Sequence, residues 1–266
     1  MSNLQEAGKK ILEEGNRVLV GYCEGTQGNI RPFFAAKAEQ AAQLVYDERC
    51  RYNLAAYLNK KEVISSGKPA VVANIPTLRG IMRLAVEKQL EEGAFSVLVE
   101  KDGQFEELHS FSDMENYLKD AVLQSLNEDD QKLYNQLCAM MPQERWDFWK
   151  SEFETCIKCY ACRQTCPLCY CSQCTAEENQ PQWLPVASHL LGNTEWHLMR
   201  AMHLAGRCVT CGQCGEACPM GIPVHLLTIH VAKTVEETYG IKPGLTMQET
   251  SAMSTYQPND QENFIR

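Results

Sequence analysis

The 266-residue chain has no apolar run approaching the roughly 20 residues that a bilayer-spanning helix needs, and its longest candidates are strand-sized. Positive charge is also scarce. Against 34 Asp and Glu there are 25 Lys and Arg, and the net charge of -9 argues against a phosphate backbone as partner, because that needs basic side chains gathered on one face. Neither a membrane span nor a nucleic-acid partner is expected. The opening residues, MSNLQEAGKK, are polar and lack the apolar centre of a secretory signal, which points to the cytoplasm. Gly21, Gly25 and Gly28 follow a strand, but their spacing is not that of G-x-G-x-x-G, so they read as a loop rather than a nucleotide cradle. No Ser/His/Asp or paired-carboxylate constellation stands out, and no catalytic residue is assigned.

Cysteine is abundant instead. Eleven of the 14 lie between Cys156 and Cys218, with only Cys23, Cys50 and Cys138 outside, so the chain divides near residue 150. A reducing compartment makes such a cluster a metal site rather than a disulfide framework. Before the division, the β-branched runs 17–22, 69–75 and 94–100 read as strands. Residues 38–58 and 77–93 between them have helical periodicity, and Ser112 with Glu115 suggests a capping box for a further helix. Alternating strands and helices predict a small, partly parallel α/β sheet. Past the division, helices are expected at 186–206, broken near Gly192–Asn193, and at 223–240, from Pro223 to a Gly240 stop.

Cys156, Cys159, Cys162 and Cys166 follow C-x2-C-x2-C-x3-C-P, and Cys208, Cys211, Cys214 and Cys218 repeat it. This is the bacterial ferredoxin run, in which three close thiolates hold three corners of a 4Fe–4S cubane and the fourth reaches the other cluster. The expected ligand sets are therefore crossed: Cys156, Cys159, Cys162 and Cys218 for one cluster; Cys208, Cys211, Cys214 and Cys166 for the other. Zinc ribbons space pairs of thiols differently. The stretch from Cys162 to Cys169 also matches the C-x3-C-x2-C of radical S-adenosylmethionine enzymes, but fewer than a hundred residues follow, too few for the barrel which that chemistry needs. His189, His197, His203, His225 and His230 read as packing or surface residues; Trp146, Trp149, Trp183 and Trp196 read as cover for the clusters. The fold class is thus α+β or α/β. Residues 1–150 form a small α/β domain with a helical linker, 151–240 a dicluster ferredoxin-like domain and 241–266 a C-terminal arm, disordered or laid on another subunit.

CIKCYACRQTCPLCYCSQC and HLAGRCVTCGQCGEACPMGIP resemble the iron–sulfur β-subunits of formate dehydrogenase and of the deazaflavin-coenzyme-reducing hydrogenase, whose relatives accompany heterodisulfide-reductase-like complexes in anaerobes. Residues 29–58, ending NLAAYL, resemble the same family, so the likeness covers most of 15–240. It implies an electron-transfer subunit of a cytoplasmic, anaerobic, multi-subunit oxidoreductase. Its partners would be subunits of a hydrogenase, a formate dehydrogenase, a heterodisulfide-reductase-like complex or a flavoprotein. Where the family has Gly-Cys-Asp-x-Arg, this chain reads IPTLR (75–79), keeping Arg79 and placing Pro76 at the cysteine position. FAD is accordingly not expected, and the α/β domain reads as a docking platform; a flavin-containing catalytic subunit reducing a soluble coenzyme is the alternative. Cys169, Cys171 and Cys174 exceed what two runs need. With Cys50, which lies in the family-like stretch, they could hold a third 4Fe–4S cluster; a zinc site and structural thiols are the other readings.

Overall fold

The computed structural model describes residues 2–123, 125–178 and 180–250. Helix α1 (Asn3–Glu13) opens with a Ser2 cap and leads into β1 (Arg17–Glu24), β2 (Ile30–Ala35), the short α2 (Lys61–Ser65), β3 (Lys68–Ala73), α3 (Ile75–Val86), β4 (Ser96–Lys101), β5 (Gln104–Leu108) and α4 (Phe111–Lys119). The five strands form one sheet in the order β2-β1-β3-β4-β5, with β1–β3 and β3–β4 parallel and both edge pairs antiparallel. In β1 and β3 the residues are buried in near-continuous runs, as expected of interior parallel strands covered on both faces. The edges read differently. β2 carries Pro32, which an edge tolerates because its missing N–H faces no ladder partner, and β5 carries Glu106 and Glu107.

The predicted helix over 38–58 does not form. That segment holds 3-10 turns at Ala38–Gln43 and Leu54–Tyr57 with irregular chain between them. Its side chains face partners that a regular helix would not reach: Asn53 donates to the Pro76 carbonyl at 2.9 Å, and its backbone N–H donates to Gln213 Oε1 at 2.7 Å. The predicted cap at Ser112 also shifts. Ser110 takes that place, its hydroxyl accepting from the Asp113 amide at 3.1 Å.

Helices α5 (Glu128–Ala139) and α6 (Pro142–Glu154) lead to the first cysteine run, which contains the single turn α7 (Ala161–Gln164). Helix α8 (Leu190–His203) separates the runs and is unbroken through Gly192 and Asn193, contrary to expectation. The second run contains α9 (Gln213–Glu216), and α10 (Val224–Tyr239) ends as predicted at Gly240, whose φ of 67° is left-handed. Among the described residues no helix is long and apolar enough to cross a membrane.

The apolar core of the sheet continues into the cysteine-bearing half through Leu168, Leu204 and Val209. Polar clamps tighten the same junction. Arg79 of α3 donates to the Val209 carbonyl at 2.9 Å and to Pro243 at 2.8 Å, while Glu87 meets Arg207 at 2.5 Å. Arg83 pairs with Glu249 at 2.6 Å, and Glu115 accepts from Thr246 at 3.1 Å. Residues 241–250 therefore lie on this chain's own α3 and α4; the rest of the expected arm lies outside the described residues.

Candidate metal centre

The two cysteine runs have the same backbone. Two and four residues after the first cysteine, φ is positive: Lys158 and Tyr160 at 50° and 59°, Thr210 and Gly212 at 58° and 74°. For the three non-glycine residues this costs about 1–3 kcal/mol each and persists only where the surroundings enforce it. The result is a loop curled inward. The Lys158 N–H donates to Cys156 Sγ and the Thr210 N–H to Cys208 Sγ, each at 3.4 Å. Five residues after its first cysteine each run enters its single-turn helix, which carries the third cysteine away from the loop.

The last cysteine of each run lies within electrostatic reach of the other run's thiols. Cys156 and Cys162 both feel the charge of Cys218, and the three share an apolar core; Cys208 and Cys211 both feel Cys166. Cys214 adjoins both sets, sharing the core of Cys156 and Cys162 and the electrostatic neighbourhood of Cys208 and Cys211. Among the described residues no three His, Cys, Asp or Glu side chains converge on a point fit for one metal ion. The repeated C-x2-C-x2-C-x3-C spacing, with a backbone N–H turned to the first sulfur of each run, suits a polynuclear iron–sulfur cluster better than a single zinc.

Burial pushes the Cys162 and Cys208 thiols up to about 12 and raises Cys156 and Cys211 as well. Thiolate ligation would thus release protons and leave negative charge in a poorly solvated place. Among the described residues, the buried cations Lys158, Arg79 and Arg200 oppose that charge. Lys158 Nζ donates to the Pro185 carbonyl and is lowered by burial, against the opposing pull of Cys156. Arg79 is likewise lowered by burial, with Cys208 and Cys211 opposing.

One stripe of α8 faces the first run. Asn193 donates to the Phe153 and Cys156 carbonyls, both at 2.8 Å. One turn on, His197 Nε2 lies 3.3 Å from Cys156 Sγ, with its ring stacked on Phe153 at 4.6 Å. Arg200 follows and donates to the Cys162 carbonyl at 2.9 Å. Burial holds His197 down to about 3, so it is neutral. The sequence reading placed His197 among packing residues and did not single out Asn193 as a donor or Arg200 at all. The available signal was their i, i+4, i+7 spacing, a polar line on a face otherwise apolar. Trp149 and Trp196 are buried as expected of cluster cover, whereas Trp146 and Trp183 are exposed.

The four further thiols have different surroundings. Cys169 donates to Cys166, lowering the Cys166 pKa and raising its own. Cys171 is exposed, and Cys174 packs with Ala176, Leu184 and Trp196. Cys50 is buried near Val45 and Asp47, its Sγ 3.7 Å from the Val45 carbonyl, and burial raises its pKa. It lines a cleft of about 1510 Å³ at the carboxyl ends of β1, β3 and β4, together with Arg31, Arg49, Arg51, Cys211 and His225. The 25–28 loop also borders this cleft. IPTLR forms the first turns of α3, capped by Asn74, so Arg79 points to the second run rather than into an open loop.

The repeated spacing and matching loops define a protein with two ferredoxin-type cysteine runs. The family described as "4Fe-4S dicluster domain" matches residues 155–223. The chain is 35% identical over 98 residues to the F420-dependent formate dehydrogenase subunit beta of Methanocaldococcus jannaschii, which is 36% of this chain and 25% of that protein. To the F420-dependent formate dehydrogenase 1 subunit beta of Methanococcus maripaludis it is 33% identical over 107 residues, 40% of this chain and 26% of that protein. The chain spans about a quarter of the length of the curated relatives it matches. The likeness to formate dehydrogenase β-subunits read from the motifs is therefore present in these alignments.

Proposed function

We propose that the chain is an electron-transfer subunit of a multi-subunit cytoplasmic oxidoreductase, relaying single electrons between a catalytic or flavin subunit and another redox partner. The observation that carries this reading is the mutual reach of the two runs: Cys218 beside Cys156 and Cys162, Cys166 beside Cys208 and Cys211. Two clusters on crossed ligand sets would sit side by side, a short step for an electron. Each cluster would supply one-electron redox chemistry. The chain's own residues would hold it, turn N–H groups toward its sulfurs and offset its charge. Residues 1–150 would serve as the docking domain, 151–240 as the dicluster domain and 241–266 as an arm. The partner would be a formate dehydrogenase, hydrogenase, heterodisulfide-reductase-like or flavoprotein subunit. Anaerobic purification from the native host should recover stoichiometric partners and about eight irons per chain. A monomer without partners would refute the subunit role.

The finer reading of a third cluster on Cys50, Cys169, Cys171 and Cys174 predicts about twelve irons, falling toward eight in Cys50→Ser. Eight irons, with or without one zinc, would reject it. The second functional reading, a flavin-bearing catalytic subunit, draws on the cleft, which joins three arginines to the Cys211 loop. We expect no tightly bound flavin. Stoichiometric FAD released by acid from the isolated subunit would favour that second reading.

A further inference from the structure

Arg200 has no role in any ligand set, yet it is 4% exposed and lies where the two runs meet. Its electrostatic neighbours are Cys162, from the first expected set, with Cys166 and Cys214 from the second, and Cys169. Cys208 feels it as well. One terminal nitrogen donates to the Cys162 carbonyl, whereas Nε has no protein acceptor among the described residues. A buried guanidinium with an unused donor is costly unless something nearby takes the hydrogen bond and balances the charge. Burial alone would weaken its charge, and the surrounding thiolates, Cys214 foremost, more than offset that. Lys158 and Arg79, also buried near thiols, differ in reach. The thiolates acting on Lys158 and Arg79 belong to one run each, Cys156 for the first and Cys208 with Cys211 for the second.

We propose that Arg200 is a positioning residue shared by both clusters, its fixed positive charge lying between them and its Nε–H serving a cluster sulfur. The proposal rests on the two-cluster reading above. Each reduction adds negative charge to a cluster, so a cation common to both favours the reduced form of each. Arg200 would thereby raise both potentials together. Its place on α8 explains the rigidity this needs: Asn193 and His197, on the same stripe, tie the helix to the first run.

The test is an anaerobic redox titration of the full chain, followed by electron paramagnetic resonance, on wild type, Arg200→Gln and Arg200→Lys with iron counted on each. Wild type should hold at least about eight irons; fewer would refute the two-cluster reading itself, before Arg200 is considered. In Arg200→Gln both clusters should become harder to reduce, by about tenfold in the reduced-to-oxidised ratio at a fixed poise, equal to ~59 mV for one electron. Arg200→Lys should recover most of that shift. Loss of iron from the Gln variant alone, with Lys keeping both clusters near wild-type potential, would also support a charge role. Unchanged potentials in the Gln variant, a shift confined to one cluster, or loss of iron from both variants would overturn the proposal.

Discussion

The two cysteine runs share a backbone but not a setting. The first is wrapped by α6 and α8, its Cys156 under Phe153, His197 and Asn193, while Cys159 is exposed. The second is pressed against the sheet half through Arg79 and Asn53 and borders the cleft at Cys211. The contrast is sharpest one residue after the third cysteine. There the first run has Arg163, which donates to the Cys171 carbonyl at 2.7 Å and pairs with Glu177 at 2.9 Å. The second has Gly215, where a Cβ would collide with the His225 ring. Identical ligand spacing thus serves two purposes. One run presents a thiol to solvent and organises the extra-cysteine loop; the other is fitted closely into the rest of the fold.

The largest test of that comparison is Cys218→Ser. It should remove about half of roughly eight irons, and the cluster lost should be that of Cys156, Cys159 and Cys162; resonance spectra showing loss of the Cys208, Cys211 and Cys214 cluster alone would break it. Gly215→Ala comes next, with an overpacking cost of about 1–3 kcal/mol read from anaerobic melting. Arg163→Ala at the matching step should cost only ~1 kcal/mol, and its visible effect should be faster proteolysis in the Cys169–Cys174 loop. Equal melting losses at the two steps would erase the distinction drawn here. The smallest expected effect is that of His197→Phe. With its proton on Nε2, the neutral ring donates to Cys156 Sγ, so its loss should lower the potential of the first cluster by less than a factor of about ten in the redox ratio, leaving the second unmoved.

Much of this was legible in the chain. The interior strands announce themselves as Val- and Ala-rich runs because parallel strands are buried on both faces, and the eight thiols carry their own spacing. The edge strands were illegible for the complementary reason: Pro32 and the acidic residues of β5 are edge chemistry, which reads as loop in sequence. Residues 38–58 have the period of a helix but are held by Asn53 and Asn74 to α3 and the second run, a tertiary demand that periodicity does not contain. Arg79 could be picked out as a residue of the family pattern, yet its partners, 130 and 164 positions away, could not. Asn193 and Arg200 went unread because each is ordinary alone and acquires meaning only from the thiols beneath α8.

The proposed exchange of last cysteines between the runs would also have a consequence for synthesis. Cys218 leaves the ribosome well after Cys156, Cys159 and Cys162, so for that interval these three thiols lack the neighbour that the folded chain provides. Arg79 waits longer still, since Pro243 must emerge before both its carbonyl partners exist. Cluster insertion that needs the complete thiol set is thus timed by translation, and a chain halted between the runs would present iron with two incomplete sites.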